Sequence, residues 1–133
     1  MSPADPPGPG HAYGDIVLVS GLLDPQGRNP KDRPCVVVGD PKAPAEGTLL
    51  VVAISTVLPD PLPDDYVPLP YHRPWHPRTG LNKRNAAVGR WVQEVERSRI
   101  LRKVGIVPGK QLVALAEVLR RLARSATEGV QDP

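Results

Sequence analysis

The sequence predicts a mainly β domain, a small barrel or roll that is closed by a single C-terminal α-helix. Three observations indicate this fold class. Short apolar, β-branched runs bounded by glycine and proline recur along much of the chain, as is typical of strands. Leucines spaced three and four apart near the C-terminus are typical of an amphipathic helix. Because the strands come first and the helix last, without alternation, the order excludes a doubly wound nucleotide-binding fold.

Three strands are predicted in the first half of the chain. The run Asp15–Val19 is apolar and β-branched and lies between glycines. The run Pro34–Gly39 begins with a proline, at a position where no N–H of the sheet ladder is lost. The run Thr48–Thr56 is almost continuously apolar, which indicates burial on both faces. Turn-forming pairs over residues 21–31 predict a polar loop between the first two strands.

The second half of the chain is predicted to continue the sheet. Tyr66–Leu69 contains a proline, which an edge strand tolerates. Asn85–Val95 alternates loosely between apolar and polar residues and is predicted to be a strand that is bulged at Gly89. Glu96–Lys103 is predicted to form one or two helical turns that end at Gly105.

The last predicted element is the C-terminal helix, which begins at Pro108, a residue suited to a first helical turn. Its apolar face is formed by Leu112, Leu115, Leu119 and Leu122. We expect a single domain over residues 13–124, a disordered Pro/Gly-rich lead-in over residues 1–12 and a frayed tail over residues 125–133.

Several classes of site are absent from the sequence. Cys35 is the only cysteine, which excludes an intrachain disulfide and a cysteine-based zinc site. His72 and His76 are four residues apart, but Pro74 and Pro77 prevent a helix there, so we expect a surface loop and no metal or other cofactor. No glycine-rich phosphate loop or nucleophile elbow is present. With no signal peptide and no membrane-spanning apolar run, a cytoplasmic protein is expected.

The charge of the chain is unevenly distributed. Residues 71–133 carry 13 of the 17 basic side chains but only five of the 14 acidic ones. Such an excess attracts nucleic acid or an acidic protein partner, although a solvated basic face would have the same composition. Aromatic rings interleave with the cations between Tyr71 and Lys103, and flat rings beside cations suit single-stranded nucleic acid. Of these rings, Trp75 is a candidate for binding or local packing, whereas Trp91 is interpreted as a core residue.

Several segments, taken in order, resemble the MazF/PemK toxins of type II toxin–antitoxin systems. The opening strands are similar in Gly14–Val19 (GDIVLV), Lys31–Val38 (KDRPCVVV) and Leu50–Thr56 (LVVAIST). Later similarities are Thr79–Leu81 (TGL), Val95–Ile100 (VERSRI), Lys103–Ile106 (KVGI) and the leucine-rich helix. The resemblance covers about Gly14 to Leu122 and implies a small SH3-like (MazF/PemK-like) barrel that forms a homodimer.

The resemblance also implies an activity and a partner. Family members cut single-stranded mRNA without a metal, through attack of the ribose 2′-OH on the adjacent phosphate, and an antitoxin with an acidic tail covers the RNA site. Arg33 matches the family's catalytic arginine, and Ser55 falls where the family usually has a threonine. Arg33 would stabilise the developing negative charge, and Ser55 would hydrogen-bond the phosphate or orient the 2′-OH. The general base stays open, with His72 and His76 as candidates.

An RNA or acidic-tail groove is expected in the segment from Tyr71 to Lys103, beside Arg33 and Ser55. The predicted RNA-binding side chains are Lys31, Arg73, Trp75, His76, Arg78, Lys83 and Arg84.

Two adjacent positions depart from the family pattern. Many members carry an acidic residue followed by glutamine before the Ser-Arg segment, where this chain has Arg90 and Trp91. The departure favours a second hypothesis, a non-catalytic module that kept the barrel and binds nucleic acid or a protein partner. A purely structural interaction domain is a third.

Overall fold

Six strands and one helix form the protein in the computed structural model, which describes residues 11–39 and 47–131, with side chains described as far as residue 125. The elements are β1 (Asp15–Leu22), β2 (Lys31–Val37), β3 (Thr48–Ser55), β4 (Tyr66–Pro68), β5 (Ala86–Glu96), β6 (Ile100–Ile106) and α1 (Gly109–Gln131). The strands form one antiparallel sheet in the order β4-β5-β3-β2-β1-β6. The predicted mainly β class with a C-terminal helix is confirmed.

Each face of the sheet carries its own apolar core, because successive side chains of a strand point to opposite faces. On one face, residues such as Ile16 and Val36 pack with Leu115 of α1, and we call this cluster the helix-side core. On the other face, residues such as Val17 and Cys35 form the interior core. The sheet curls into a small barrel around the interior core, since residues from both of its edge strands, β4 and β6, pack on it.

The predicted amphipathic helix is confirmed. Helix α1 begins at Gly109, one residue after the predicted start at Pro108, and Leu115 is fully buried in the helix-side core. Leu112, Leu119 and Leu122 pack against the same core. None of the helical structure in the described part of the chain is both long and apolar enough to span a bilayer.

The predicted helical turns over Glu96–Lys103 are wrong for most of that segment. Only Arg97–Arg99 forms a 3-10 turn, and the chain then continues as β6. Strand β6 pairs with the outer edge of β1, so the partner strand and not the local sequence decides the conformation. Gly105, predicted to end the helical turns, lies inside β6, where the missing Cβ lets the backbone of Arg78 and Thr79 approach the strand.

The predicted bulge in β5 is confirmed. The register between β3 and β5 shifts between Val52 and Ile54, which pair with Val92 and Ala87. The irregular segment contains Gly89, whose N–H donates to the carbonyl of Asp65. It brings both Val88 and Trp91 into the interior core, although residues three apart in a regular strand point to opposite faces.

Two predictions on the chain ends have no test in the structure. Most of the lead-in predicted over residues 1–12 lies outside the described residues. Helix α1 extends to Gln131, so the tail predicted to fray after residue 124 starts inside the helix. The predicted domain boundaries stay predictions.

Candidate active site

Arg33 and Ser55 meet at one end of the barrel although they are on different strands. Arg33 lies near the start of β2 on the same face as Cys35, and it pairs with Val19 of β1. Ser55 is the last residue of β3 and pairs with Ala86 of β5. Both side chains line one open cavity of about 480 Å³, which we call the Arg33 cavity.

The wall of the Arg33 cavity comes from three parts of the fold. The loop between β1 and β2 contributes one side, the ends of β2 and β3 the second, and β4 and β5 the third. The lining residues are Asp24, Pro25, Gln26, Asn29, Lys31, Arg33, Ser55, Val57, Tyr66, Val88 and Trp91. Within this set, Lys31 and Arg33 carry positive charge and Asp24 carries negative charge.

The guanidinium group of Arg33 is fixed on three sides. Its Nε donates to the carbonyl oxygen of Leu22 at 3.2 Å, and Nη2 donates to the carbonyl oxygen of Asn29 at 3.2 Å. Its central carbon lies 5.1 Å from the centroid of the Trp91 ring, within the range of a cation–π contact. The remaining nitrogen, Nη1, forms no hydrogen bond to any residue in the described part of the chain. It is therefore left to bind an anion.

The hydroxyl group of Ser55 is held by a local turn. Its Oγ accepts from the backbone N–H of Val57 at 3.0 Å and donates to the carbonyl oxygen of Val57 at 3.1 Å. The turn fixes the oxygen in the cavity wall. Because the hydroxyl proton rotates freely about the C–O bond, it can turn from Val57 to a phosphate oxygen.

Asp24 organises the loop that carries one of the Arg33 anchors. Its Oδ1 accepts from the backbone N–H groups of Arg28 at 2.8 Å and Gln26 at 3.1 Å, and its Oδ2 accepts from Asn29 Nδ2 at 2.8 Å. The bond from Arg28, followed by that from Asn29, lowers the pKa of Asp24 below its ordinary value. Asn29 itself has a left-handed φ of 56°, a conformation that asparagine tolerates. The ionised carboxylate therefore holds Asn29 where its carbonyl oxygen meets Arg33.

Most of the predicted RNA-binding side chains lie between β4 and β5, in residues 71–84, which we call the basic loop and which lie at the other face of the sheet. Three adjoining cavities of about 470, 320 and 380 Å³ are lined there by side chains that include Arg73, Trp75, Asn82, Lys83 and Arg102. Pro34 and Thr56 line the 320 Å³ cavity, whereas their neighbours Arg33 and Ser55 line the Arg33 cavity. The ends of β2 and β3 thus separate the two sites.

The structure therefore brings together Lys31, Arg33 and Ser55, but it does not place the loop cations beside them. The expected single groove is instead a pair of sites on the two faces of the sheet. Arg78 and Arg84 are exposed on the loop and line none of these cavities.

The two histidine candidates for the general base lie in the loop and not in the Arg33 cavity. His76 Nδ1 accepts from the backbone N–H groups of Arg78 at 3.1 Å and Thr79 at 3.2 Å. The backbone N–H of His72 donates to the carbonyl of Leu81. His76 thus stabilises the loop conformation. Among the described residues, no group of three or more His, Cys, Asp or Glu residues is placed to hold a metal ion.

Arg90 and Trp91, which depart from the family pattern, have separate roles. Arg90 Nε donates to Asp65 Oδ2 at 2.6 Å, and the Asp65 carboxylate is almost fully buried while Arg90 is mostly exposed. Arg90 is not among the residues that line the Arg33 cavity. Trp91 is buried in the interior core, as interpreted, but it also lines the cavity. Of these two residues, Trp91 therefore lines the Arg33 cavity and Arg90 does not.

Sequence reasoning missed part of the cavity wall. Asp24 and Asn29 were visible only as turn-forming residues, and no pattern indicated that their loop folds over Arg33. Tyr66 reaches the cavity from β4, far away in the sequence. For Trp91, the departure at Arg90-Trp91 was the available signal.

Comparison with known proteins supports the family assignment. A family model described as PemK-like, MazF-like toxin of type II toxin-antitoxin system matches residues 12–123. The Mycobacterium tuberculosis toxin MazF-mt6 is 21% identical, with a TM-score of 0.60 over 80% of this chain and 93% of that chain. MazF from Deinococcus radiodurans is 16% identical, with a TM-score of 0.64 over 84% and 94% of the two chains. An endoribonuclease in complex with its cognate antitoxin from Mycobacterial species is 11% identical, with a TM-score of 0.59 over 82% and 90%.

No curated protein matches the chain. At these low identities the solved structures show a shared fold, while the family model spans nearly the whole described domain. The chain belongs to the PemK-like, MazF-like toxin family of type II toxin–antitoxin systems.

Proposed function

We propose that this chain is an endoribonuclease toxin that cleaves single-stranded mRNA without a metal. One observation carries the proposal: Arg33 and Ser55 line a single open cavity, and the guanidinium of Arg33 is fixed there with one nitrogen unpaired among the described residues. A fixed, always charged donor is what a phosphate that gains negative charge requires.

The reaction proposed is an internal transfer at one phosphate of RNA. The ribose 2′-OH loses its proton to water as its oxygen forms a bond to phosphorus, and the bond from phosphorus to the 5′-oxygen of the next nucleotide breaks as that oxygen takes a proton from water. The products are a 2′,3′-cyclic phosphate and a free 5′-hydroxyl. Arg33 Nη1 binds a non-bridging oxygen, and its contribution in the transition state is on the order of 10²- to 10³-fold in rate.

Two further residues that line the Arg33 cavity, Ser55 and Asp24, have supporting roles in the proposed reaction. Ser55 donates a hydrogen bond from its hydroxyl group to the phosphate or orients the 2′-OH, from a position that its turn with Val57 fixes. Neither His72 nor His76 lines the Arg33 cavity, so the proposal takes no histidine as the general base. Asp24, the carboxylate among the lining residues, acts through the loop, because its oxygens already accept hydrogen bonds that hold Asn29 against Arg33.

The flanking nucleotides are proposed to bind basic and aromatic side chains on both faces of the sheet. Lys31 lies in the Arg33 cavity, and Arg73, Trp75 and Lys83 line the cavities beyond the ends of β2 and β3. The remaining predicted RNA-binding residues are His76, Arg78 and Arg84.

The partners proposed are a second copy of the chain and an antitoxin with an acidic tail, in the cytoplasm. MazF from Deinococcus radiodurans has been solved together with MazE, and a mycobacterial endoribonuclease with its cognate antitoxin. The basic excess of residues 71–133 suits an acidic tail as it suits RNA.

The test is cleavage of RNA of mixed sequence by the purified protein in excess EDTA. We expect cleavage by the intact protein, products ending in a 2′,3′-cyclic phosphate, and a loss of about 10²- to 10³-fold in Arg33→Ala. Lys110→Ala is the matched control, because it removes an exposed cation at the start of α1 that lines none of the cavities described above. Equal cleavage by Arg33→Ala, or none by the intact protein, contradicts the proposal.

The second candidate function is that of a non-catalytic module that binds nucleic acid or a protein partner. It is supported by Trp91, which stands where many family members have glutamine. If the barrel binds but does not cut, the intact protein will bind single-stranded RNA in a salt-sensitive manner without turnover. Binding without cleavage under the same conditions therefore identifies the non-catalytic module, and an absence of both identifies a structural domain.

A further inference from the structure

Trp91 lies directly against the proposed catalytic arginine, and neither residue's sequence neighbours indicate the contact. We infer that Trp91 is a positioning residue for RNA cleavage, which fixes the plane of the Arg33 guanidinium. The inference rests on the proposed function, because it assigns Trp91 a role in the same site.

The hydrogen bonds of Arg33 are not sufficient to fix its orientation. The carbonyl oxygens of Leu22 and Asn29 bind Nε and Nη2, so they hold one edge of the guanidinium group. A planar group held along one edge can still tilt about that edge. The central carbon of the group lies over the Trp91 ring, 5.1 Å from its centroid, so the ring limits this tilt. The two contacts together determine where Nη1 lies.

The Trp91 ring is itself held firmly. Trp91 is 7% exposed and packs in the interior core, which includes Leu22, the residue whose carbonyl binds Arg33. The irregular segment of β5 around Gly89 turns Trp91 towards this core. A ring fixed by the barrel interior is a rigid support for a side chain at the barrel mouth.

The chemistry of the indole favours this role over filling space alone. Among the described residues, Trp91 Nε1 is buried and has no hydrogen-bond partner, which costs stability that an aliphatic side chain would not cost. Among the aromatic side chains, however, tryptophan attracts a cation over its ring most strongly. The cation on that face is Arg33.

Cleavage by substituted proteins tests the inference. Trp91→Leu keeps an apolar core residue without a ring, whereas Trp91→Phe keeps an aromatic face. We expect kcat to fall at least tenfold in Trp91→Leu and only a few-fold in Trp91→Phe, with KM for RNA changing less than about threefold in both. A rise in KM with kcat unchanged overturns the inference, and so does a kcat of Trp91→Leu equal to that of the intact protein.

A double-mutant cycle separates positioning from a general loss of stability. If Trp91 acts through Arg33, Trp91→Leu will slow single-turnover cleavage far less in the Arg33→Ala protein than in the intact one. If it acts through the fold alone, the same factor will be lost in both backgrounds, and the inference fails. Melting temperatures are measured for each protein, and Trp91→Met, which also removes the aromatic ring but keeps an apolar side chain, replaces Trp91→Leu if the latter does not fold.

A measurement without RNA keeps this test apart from that of the proposed function. In protein with ¹⁵N-labelled arginine, the Arg33 Nε–H signal is expected to show a ring-current shift that disappears in Trp91→Leu. An unshifted signal overturns the inference whether or not the protein cleaves RNA. A shifted signal in a protein that does not cleave supports the contact and refutes the proposed function.

Discussion

Cys35 and Arg33 lie two residues apart on β2 and face the same way, yet their surroundings differ completely. Cys35 is fully buried in the interior core, whereas Arg33 is half-buried at the barrel mouth. The Cys35 thiol lies 3.6 Å from the carbonyl oxygen of Arg33, to which it can donate. The two residues differ in how far they lie from the barrel mouth. Successive side chains on this face of β2 pass from the closed core to the open cavity.

The Cys35 thiol is expected to be unreactive in the folded protein. Burial raises its pKa from the ordinary value of 9.0 to about 12, because the thiolate would lose its hydration. A thiol reagent at neutral pH should therefore label the native protein very slowly and label one thiol per chain in denaturant. Rapid labelling of native protein that retains its fold would contradict the assigned burial.

His11 is expected to make stability depend on pH. Burial lowers its pKa below 6.5, with Arg97 and Lys103 acting in the same direction and Asp15 against it. Between the lowered pKa and about 6.5, the unfolded chain binds more protons than the folded one, so stability falls as the pH is lowered through this window.

Chemical denaturation of the intact protein and His11→Gln between pH 5 and 8 measures this effect. The substituted protein should lose less stability on acidification, because glutamine does not titrate. An identical pH dependence of the two proteins would show that His11 is protonated equally in both states.

At the scale of elements, the loop between β4 and β5 shows how a long irregular segment is held in place. The Thr79 hydroxyl donates to the carbonyl of Pro70 at 2.8 Å and accepts from the N–H of Leu81 at 3.1 Å. The N–H of Ile106 donates to the carbonyl of Arg78 at 2.8 Å, which ties the loop to the end of β6. These contacts need close approach of two backbones, and Gly105 permits it.

Gly105→Ala is expected to destabilise the protein by about 1–3 kcal/mol. The new Cβ would collide with the backbone of Arg78 and Thr79, and backbone cannot move aside as a flexible side chain can. Gly109→Ala is the matched control, because a Cβ there meets nothing within 4 Å and alanine favours the helix that begins at this residue. Equal melting temperatures for Gly105→Ala and the intact protein would contradict the close packing of loop and strand.

At the scale of the whole molecule, two sites lie on opposite faces of the sheet, with the ends of β2 and β3 between them. The Arg33 cavity opens at the barrel mouth, and the cavities of the basic loop lie on the other face. Two pairs of sequence neighbours are divided between these sites. The Arg33 cavity is lined by Arg33 and Ser55, and the 320 Å³ cavity is lined by Pro34 and Thr56. An RNA that crosses these strand ends could contact cations on both sides.

RNA binding is therefore expected to depend strongly on salt. The logarithm of the association constant should fall linearly with that of the salt concentration, and Lys83→Ala should reduce the slope by about 0.7 if it removes one phosphate contact. Arg120→Ala is the control, since it removes an exposed cation of α1 that lines none of the cavities. A slope unchanged by Lys83→Ala would show that the basic loop does not contact the RNA backbone.

The sequence by itself determined the class of fold, the helix and five of the six strands, and the resemblance of its ordered motifs to a known family named Arg33 and Ser55 as site candidates. Apolar periodicity, proline positions and ordered motifs are local features, and they were sufficient for these results. The tertiary structure alone decided that Ile100–Ile106 is a strand, because the open edge of β1 supplies its hydrogen bonds. It also placed Trp91 under Arg33 and the basic loop on the other face of the sheet. Which residues meet across a curled sheet depends on register, bulges and the side of each strand, and none of these is encoded in one segment of sequence.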